Sequence, residues 1–225
     1  CVVEKNAQFG GCFQTYQRKG HLLDTGIHYV GSLDEGQVMN QYFRYFGIMD
    51  KLKIKRLDDA AFDTIYYKGK TYDYAMGYPQ FIETICRSFP HEKENLKCYA
   101  EQLQAVGNLI SVDHLKQGTL ALEGMKYFCT SAAHLIADIT PDPALRNVLA
   151  GSKDVSTFYQ HAMINHSYIE GAYRFVDGSM QVSLELINVI RANGGTVLNN
   201  SEATRIIVEN EKVQGVIING EERLE

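Results

Sequence analysis

The sequence contains no tryptophan, only four prolines, and no two glycines separated by a single residue. The last absence excludes a GxGxxG phosphate-binding loop within these 225 residues. No apolar run approaches the roughly 18 residues that a membrane-spanning helix needs. The five cysteines are scattered and never form a CxxC pair, which favours reduced cytoplasmic thiols over a disulfide framework or a zinc site.

The overall composition is that of a globular protein. Apolar residues make up 45% of the chain and charged residues 22%, which excludes a disordered chain. The 22 basic and 27 acidic side chains give a net charge of −5, so a nucleic-acid partner is disfavoured.

The chain changes character twice along its length. The first 31 residues are glycine-punctuated and strand-like, the region from 78 to about 166 is helical, and the last 50 residues mix both patterns. Predicted helices cover residues 35–46, 79–89, 92–110, 131–139, 143–149, 154–166 and 180–190. Strands are predicted at 1–4, 14–19 and 196–198, within 55–75, and as a hairpin of 203–208 with 212–218. We therefore predict an α/β fold in which a mainly helical insert with a small sheet interrupts a Rossmann-like unit, so that Val2-Val3 pairs with the strand containing Val197.

Glu4 is the first candidate functional residue. An acid at the end of a strand, followed after five residues by Gly10-Gly11, is the arrangement in which dinucleotide-binding folds hold an adenosine ribose. The glycines would let the backbone approach a pyrophosphate, because no Cβ is in the way. The phosphate loop of such a fold precedes the acid by roughly 20 residues, which is upstream of Cys1. Since the chain also starts within a strand and without methionine, we expect a piece of a longer enzyme. The full-length protein is expected to bind FAD, and this piece alone to bind it poorly and to be inactive.

These residues resemble a known family, the phytoene desaturase and retinol saturase branch of the FAD-dependent amine-oxidase-like flavoproteins. The resemblance is carried by Glu4-Lys5, Gly10-Gly11-Cys12, the stretch from Asp24 through Gly26 and His28 to Gly31, Gly171-Ala172-Tyr173, Gly178-Ser179 and Gly194-Gly195. One departure is Asp177, where the family usually has a glycine.

The resemblance implies roles for the matched residues. Glu4 would hold the adenosine ribose of FAD, and Gly10-Gly11 would lie along its phosphates and ribityl chain. Lys5 would be a further cofactor-binding residue. Asp24, Gly26 and His28 would lie close to the flavin ring, and Ala203 would contribute a backbone contact on the adenine side. For Asp24 and His28, ordinary structural hydrogen bonding is the equal alternative. Residues 1–54 and 167–225 would form the partial FAD-binding domain, and 55–166 the substrate domain.

The remaining histidines and the tyrosines suggest no metal site. His161 and His166 are five residues apart, a spacing that does not place both on one helical face. His91, His114 and His134 are isolated and expected at the surface or its boundary. The tyrosines at 66, 67, 72, 74 and 78 are interpreted as core residues in preference to a tunnel wall.

The resulting hypothesis is an FAD-dependent oxidoreductase that transfers hydride to or from carbon–carbon bonds of a polyene, isoprenoid or retinoid-like lipid. Its partner would be a hydrophobic small molecule, and a peripheral membrane contact is left open. Because the flavin performs such chemistry itself, no general acid or base is named. Two alternatives stay open: an amine- or porphyrinogen-oxidase-type flavoenzyme, and a flavin-free module that binds hydrophobic ligands or partners.

Overall fold

The computed structural model describes residues 1–109, 124–151 and 157–224. Its helices are α1 (Val38–Tyr45), α2 (Tyr78–Ser88), α3 (Lys93–Gly107), α4 (Met125–Cys129), α5 (Ala132–Ile139), α6 (Pro143–Ala150), α7 (Phe158–Glu170) and α8 (Met180–Ala192). Its strands are β1 (Val2–Val3), β2 (Thr15–Arg18), β3 (His21–Asp24), β4 (Val30–Gly31), β5 (Ile54–Arg56), β6 (Asp63–Tyr67), β7 (Lys70–Tyr74), β8 (Ala172–Phe175), β9 (Val197–Leu198), β10 (Ala203–Glu209), β11 (Lys212–Ile218) and β12 (Glu222–Leu224). Within these ranges no helix has the length and apolarity needed to cross a bilayer.

The chain folds into two compact units. The first contains Cys1–His28, Phe43–Lys53 and Phe175–Glu225, and the second contains Tyr29–Tyr42 and Ile54–Arg174. Residues 29–42 and 167–174 therefore lie in the second unit, although the predicted domain bounds place them in the first. The reason is a sheet in the order β4-β8-β5, in which Val30 and Gly31 of β4 pair antiparallel with β8.

The first unit joins residues that are far apart in sequence. β1 and β9 pair in parallel, with Val2 opposite Val197 and Val3 opposite Leu198, which confirms the predicted pairing. Val182 and Ile187 of α8 are buried, whereas Leu184 of the same helix is 48% exposed. The helix ends just before Gly194, whose φ of 77° is the left-handed conformation typical of a helix C-terminus.

Two antiparallel hairpins complete the first unit. β2 pairs with β3 around a turn at Lys19 and Gly20, and β10 pairs with β11 around Asn210 and Glu211. All four turn residues have positive φ, between 50° and 81°, which matches the two-residue turns that suit twisted hairpins. β12 adds a third strand to the second hairpin. The predicted hairpin of residues 203–218 is confirmed.

The second unit is mainly helical around an aromatic core. Phe81, Tyr99 and Phe158 are completely buried in it. The β6–β7 hairpin turns at Lys68-Gly69 and contributes buried tyrosines at positions 72 and 74. Tyr78 is also buried and Tyr67 packs against the core, so the core interpretation holds for these residues, although Tyr74 also lines a cavity of this unit. It is wrong for Tyr66, which is 74% exposed because side chains alternate between the two faces of a strand.

Most of the predicted helix boundaries compared here agree with the structure, and one does not. The helices predicted at 131–139 and 143–149 are found within a residue of those bounds, and α3 begins one residue later than predicted. The helix predicted at 154–166 is instead Phe158–Glu170, since the Thr157 hydroxyl caps its first turn by accepting from the Gln160 N–H at 3.3 Å. Residues 152–156, His114 and the unassigned loop from 115 to 123 lie outside the described residues.

Candidate functional site

Glu4 lies directly after β1, in a segment held by β9 and the residues that follow it. Its backbone N–H donates to Leu198 O at 2.8 Å, and its own carbonyl accepts from the Ser201 N–H at 2.9 Å. In the carboxylate, Oε1 accepts from the Asn6 N–H at 2.8 Å, whereas Oε2 has no partner among the described residues. The fixed backbone and the unused oxygen fit a role as a hydroxyl acceptor. Lys5, the next residue, is exposed.

Gly10 and Gly11 form a bare turn after this segment, with φ values of 111° and 53°. A Cβ on Gly10 would lie 2.8 Å from Ser183 Oγ of α8, so this glycine is needed for close packing. A Cβ on Gly11 would meet nothing within 4 Å, so the backbone there faces open space. This exposed backbone beside a helix fits the predicted approach to a phosphate chain.

Asp24 lies at the N-terminus of α8 and is occupied by structural hydrogen bonds. Its Oδ1 accepts from the Ser179 N–H at 2.7 Å and lies 2.8 Å from the Ser179 hydroxyl, which is completely buried. A carboxylate at this position is also favoured by the helix dipole. These contacts correspond to the structural alternative for Asp24, and its proximity to a flavin stays a prediction.

The remaining residues predicted to bind the cofactor are Gly26, His28 and Ala203. Gly26 packs against Cys12, since a Cβ on it would be 3.0 Å from the Cys12 carbonyl oxygen. His28 is exposed, and Ala203 is the exposed first residue of β10, opposite Ile218. The structure thus brings Gly10 and Asp24 to the N-terminal part of α8.

Asp177, the expected departure from the family pattern, lies in a turn of unusual backbone conformation. Its φ is 65°, a left-handed conformation that glycine adopts without steric cost. Its side chain forms an exposed ion pair with Lys53, at 3.4 Å. The departure from the family pattern therefore preserves the local turn.

The second unit contains a cavity of about 490 Å³, within the size range of small-molecule sites. One wall is a single face of α7, which presents residues at i, i+3, i+4 and i+7. The β6–β7 hairpin and the end of α6 form the other walls. The lining residues are Tyr29, Phe62, Asp63, Ile65, Tyr74, Leu149, Ala150, Gly151, His161, Ile164, Asn165 and Tyr168.

One polar group of this cavity is the pair of Tyr29 and Asp63. The Tyr29 hydroxyl donates to Asp63 Oδ2 at 3.0 Å, and Oδ1 accepts from the Thr64 N–H at 2.8 Å. Burial, followed by the Asp63 carboxylate, raises the pKa of the Tyr29 hydroxyl. The Tyr29 ring packs on Tyr168 with centroids 4.5 Å apart, so this end of the cavity is aromatic with one charged group.

The other polar group is centred on His161. Its Nε2 lies 2.7 Å from the Tyr99 hydroxyl, and the Asn165 amide donates to its backbone carbonyl at 2.8 Å. Burial lowers the pKa of the His161 imidazole to about 4, so the ring is neutral at physiological pH. A second pair on the same helix joins His166 Nδ1 to the Tyr78 hydroxyl at 2.7 Å, outside the cavity lining.

The sequence analysis did not identify Asp63, Tyr99, His161 or Asn165 as site residues. A signal for the cavity wall was present in the spacing of four residues, which places them on one helical face: His161, Ile164, Asn165 and Tyr168. Within the described ranges, no group of three or more His, Cys, Asp or Glu residues could hold a metal ion.

Comparison with known proteins identifies the family. The model of the flavin containing amine oxidoreductases matches residues 1–224, and the chain belongs to this family. It is 26% identical to all-trans-retinol 13,14-reductase of Rattus norvegicus and 24% identical to that of Homo sapiens, over 92% of the chain in both cases. It spans 38% of the length of these relatives.

The comparison with solved structures confirms the fold. Wild-type putrescine oxidase bound to putrescine superposes with a TM-score of 0.62 at 16% identity, covering 99% of this chain and 49% of that one. The α/β fold with a helical insert is therefore that of the flavin-dependent amine oxidases, and the predicted family resemblance is confirmed.

Proposed function

We propose that this chain forms part of the FAD site and the substrate cavity of an oxidoreductase that acts on a polyene or retinoid-like lipid. The observation that carries the proposal is the match over nearly the whole chain to a flavin-containing family, combined with an apolar cavity in the second unit. The retinol reductase relatives support a retinoid as the substrate class. The predicted FAD-binding and substrate domains keep their roles in this proposal.

The residues of the first unit would position the cofactor. Glu4 would accept hydrogen bonds from ribose hydroxyls through its unused Oε2, and the backbone at Gly10-Gly11 would run along the phosphates. Lys5 and Ala203 would lie on the adenosine side, with Asp24, Gly26 and His28 toward the ring. When bound, FAD supplies hydride transfer to or from a carbon–carbon bond, and the chain holds and orients it.

The residues of the second unit would receive the lipid. The cavity is lined mainly by aromatic and aliphatic side chains, which suits the burial of a polyene. Because substrates of this class partition into membranes, a peripheral membrane contact belongs to the proposal.

The test of the cofactor role is the flavin content of Glu4→Gln in the full-length protein, measured by visible absorbance after identical purification. We expect it to fall because the hydrogen bonds lost involve a charged acceptor, each worth about 1.5–3 kcal/mol. The control is Glu209→Gln, which alters an exposed glutamate of β10 in the same unit. Equal flavin content in the two variants would contradict the assigned role of Glu4.

The test of the substrate class is reduction or desaturation of retinoid carbon–carbon bonds by the flavin-loaded protein, followed by chromatography of the products. Unchanged retinoids under both oxidising and reducing conditions would refute this substrate class.

A second candidate is oxidation of an amine. The observation that favours it is Asp63, a carboxylate among aromatic side chains that could attract an alkylammonium group. Flavin reduction by a panel of primary amines, with none by retinoids, would favour this alternative.

A further inference from the structure

β10 is the long edge strand of the sheet in the order β10-β11-β12. It has seven residues, whereas β12 at the opposite edge has three. Among the described residues, only those of β11 hydrogen-bond to the backbone of residues 205–209. The N–H and C=O groups on the other side of β10 are therefore available to a further strand.

The stretch from Arg205 to Glu209 has none of the proline, lysine or bulge that usually blunts an open edge. The pairing of β10 with β11 contains two extra residues, Thr204, which precedes this stretch, and Gln214, which is on β11. Residues 205–209 are thus an uninterrupted strand with three β-branched residues at its centre, a composition that favours pairing.

The side chains of this stretch form two exposed faces. Ile206 and Val208 are 62% and 59% exposed and share one face, because side chains alternate along a strand. Val213 lies opposite Val208 and is 68% exposed, so this face carries a patch of three apolar side chains. Arg205 and Glu209 are exposed on the other face, and neither forms an ion pair within the part of the chain that the structure describes.

The sequence of this stretch is complementary to itself. In an antiparallel pair of two copies centred on Ile207, Arg205 of each copy lies opposite Glu209 of the other. On the second face, Ile206 of each copy lies opposite Val208 of the other. Opposite charges and β-branched side chains directly across from one another stabilise such pairs. We propose that a second copy of this chain pairs with β10 along residues 205–209 and joins the two three-stranded sheets into one sheet of six strands.

The charges also define the register of the pair. Moving its centre to Ile206 would place Arg205 opposite Ile207 and Glu209 opposite Ala203, which leaves both charges without a partner. Charges at an edge commonly prevent pairing through repulsion, but here the signs are opposite at the two positions that meet, and the two-fold axis forms the ion pair twice.

The expected dimer is weak. A strand pair of this length buries less than the roughly 1,200 Å² of a standard interface, so we expect a dissociation constant between about 1 µM and about 1 mM. The inference concerns assembly and does not depend on the proposed substrate.

The experiment is sedimentation equilibrium of the full-length protein at concentrations from about 1 µM to about 1 mM. The wild type is expected to show a monomer–dimer equilibrium. Arg205→Glu places a glutamate opposite a glutamate at both ends of the pair, and Glu209→Arg places an arginine opposite an arginine. Because like charges directly opposite each other destabilise a strand pair, each variant should dimerise at least about tenfold more weakly.

An equimolar mixture of these two variants is the decisive sample. In a mixed pair, the two glutamates of one variant lie opposite the two arginines of the other. Association should therefore return in the mixture, although each variant alone is monomeric over most of the range.

The matched controls are Arg18→Glu on β2 and Glu221→Arg between β11 and β12. They make the same changes of charge at exposed positions of the first unit and should dimerise as the wild type does. Residues 205–209 include none of the residues assigned to the cofactor, so the flavin content should be the same in all of these proteins.

The outcomes are distinct. A wild type that is monomeric over the whole range would overturn the inference and leave the edge to a partner of another kind. A dimer that survives both single substitutions, or a mixture that stays monomeric, would also overturn it, because association would not depend on the pairing of Arg205 with Glu209. Equal weakening in the controls would have the same meaning. If a single variant does not fold, as judged by circular dichroism, the Arg205→Glu, Glu209→Arg double variant decides: it keeps the net charge and the complementarity, so a dimer supports the inference and a monomer refutes it.

Discussion

Protonation of His161 should make the protein sensitive to mild acid. The imidazole is 7% exposed and its pKa is lowered from 6.5 to about 4, because burial disfavours the charged form. In the unfolded chain the same group titrates near 6.5. Between these two values the unfolded state binds more protons than the folded state, so stability falls as the pH is lowered.

The size of the effect follows from the difference in pKa. One pKa unit corresponds to about 1.4 kcal/mol, so the lowering of the His161 pKa from 6.5 to about 4 corresponds to about 3–4 kcal/mol. This stability is complete above pH 6.5 and is lost progressively down to about pH 4. A loss of this size is a large share of the 5–15 kcal/mol that is typical of a folded domain (about one fifth or more).

The assay is urea unfolding followed by circular dichroism at several pH values between 7 and 4. Other groups titrate in this range, so the Tyr99→Phe, His161→Phe double variant is measured alongside. It lacks the imidazole and should lose about 3–4 kcal/mol less than the wild type over the same range. His166, whose pKa burial also lowers, contributes to both proteins and cancels in the comparison. Identical pH dependence of the two proteins would refute the assignment of His161 as a buried neutral group.

Four further substitutions test the geometry of the fold through thermal unfolding. Gly10→Ala should destabilise more than Gly11→Ala, because only the first places a Cβ 2.8 Å from Ser183 Oγ; equal losses would show that close packing is irrelevant there. Asp177→Gly should stabilise by up to about 1 kcal/mol through relief of its left-handed backbone, and a lower melting temperature would contradict this. Asp142→Ala should cost about 1 kcal/mol, since its carboxylate caps α6 by accepting from two backbone N–H groups; an unchanged melting curve would count against the cap.

Elements specified by neighbouring residues could be predicted from the sequence. The turn of the β10–β11 hairpin is encoded at Asn210 and Glu211, and α6 by the Asp142-Pro143 pair that begins it. The parallel pairing of β1 with β9 is long-range, and it could be predicted because an unpaired strand edge and an unpartnered amphipathic helix both required a distant neighbour. Boundaries between the units could not be predicted, since β4 and β8 have only two and four residues and acquire their identity by pairing.

The cavity could not be predicted because its walls come from elements that no local pattern connects. Asp63 lies on a strand, Leu149 on α6 and His161 on α7, and each separately has the pattern of an ordinary core or surface position.

The two tyrosine–histidine pairs of α7 show the same limit of the sequence. His161 and His166 both hydrogen-bond a tyrosine at 2.7 Å, yet only His161 lines the cavity. Sequence alone gives the two histidines the same chemistry. The difference lies in position, because His161 stands with Asn165 in the cavity wall and His166 does not.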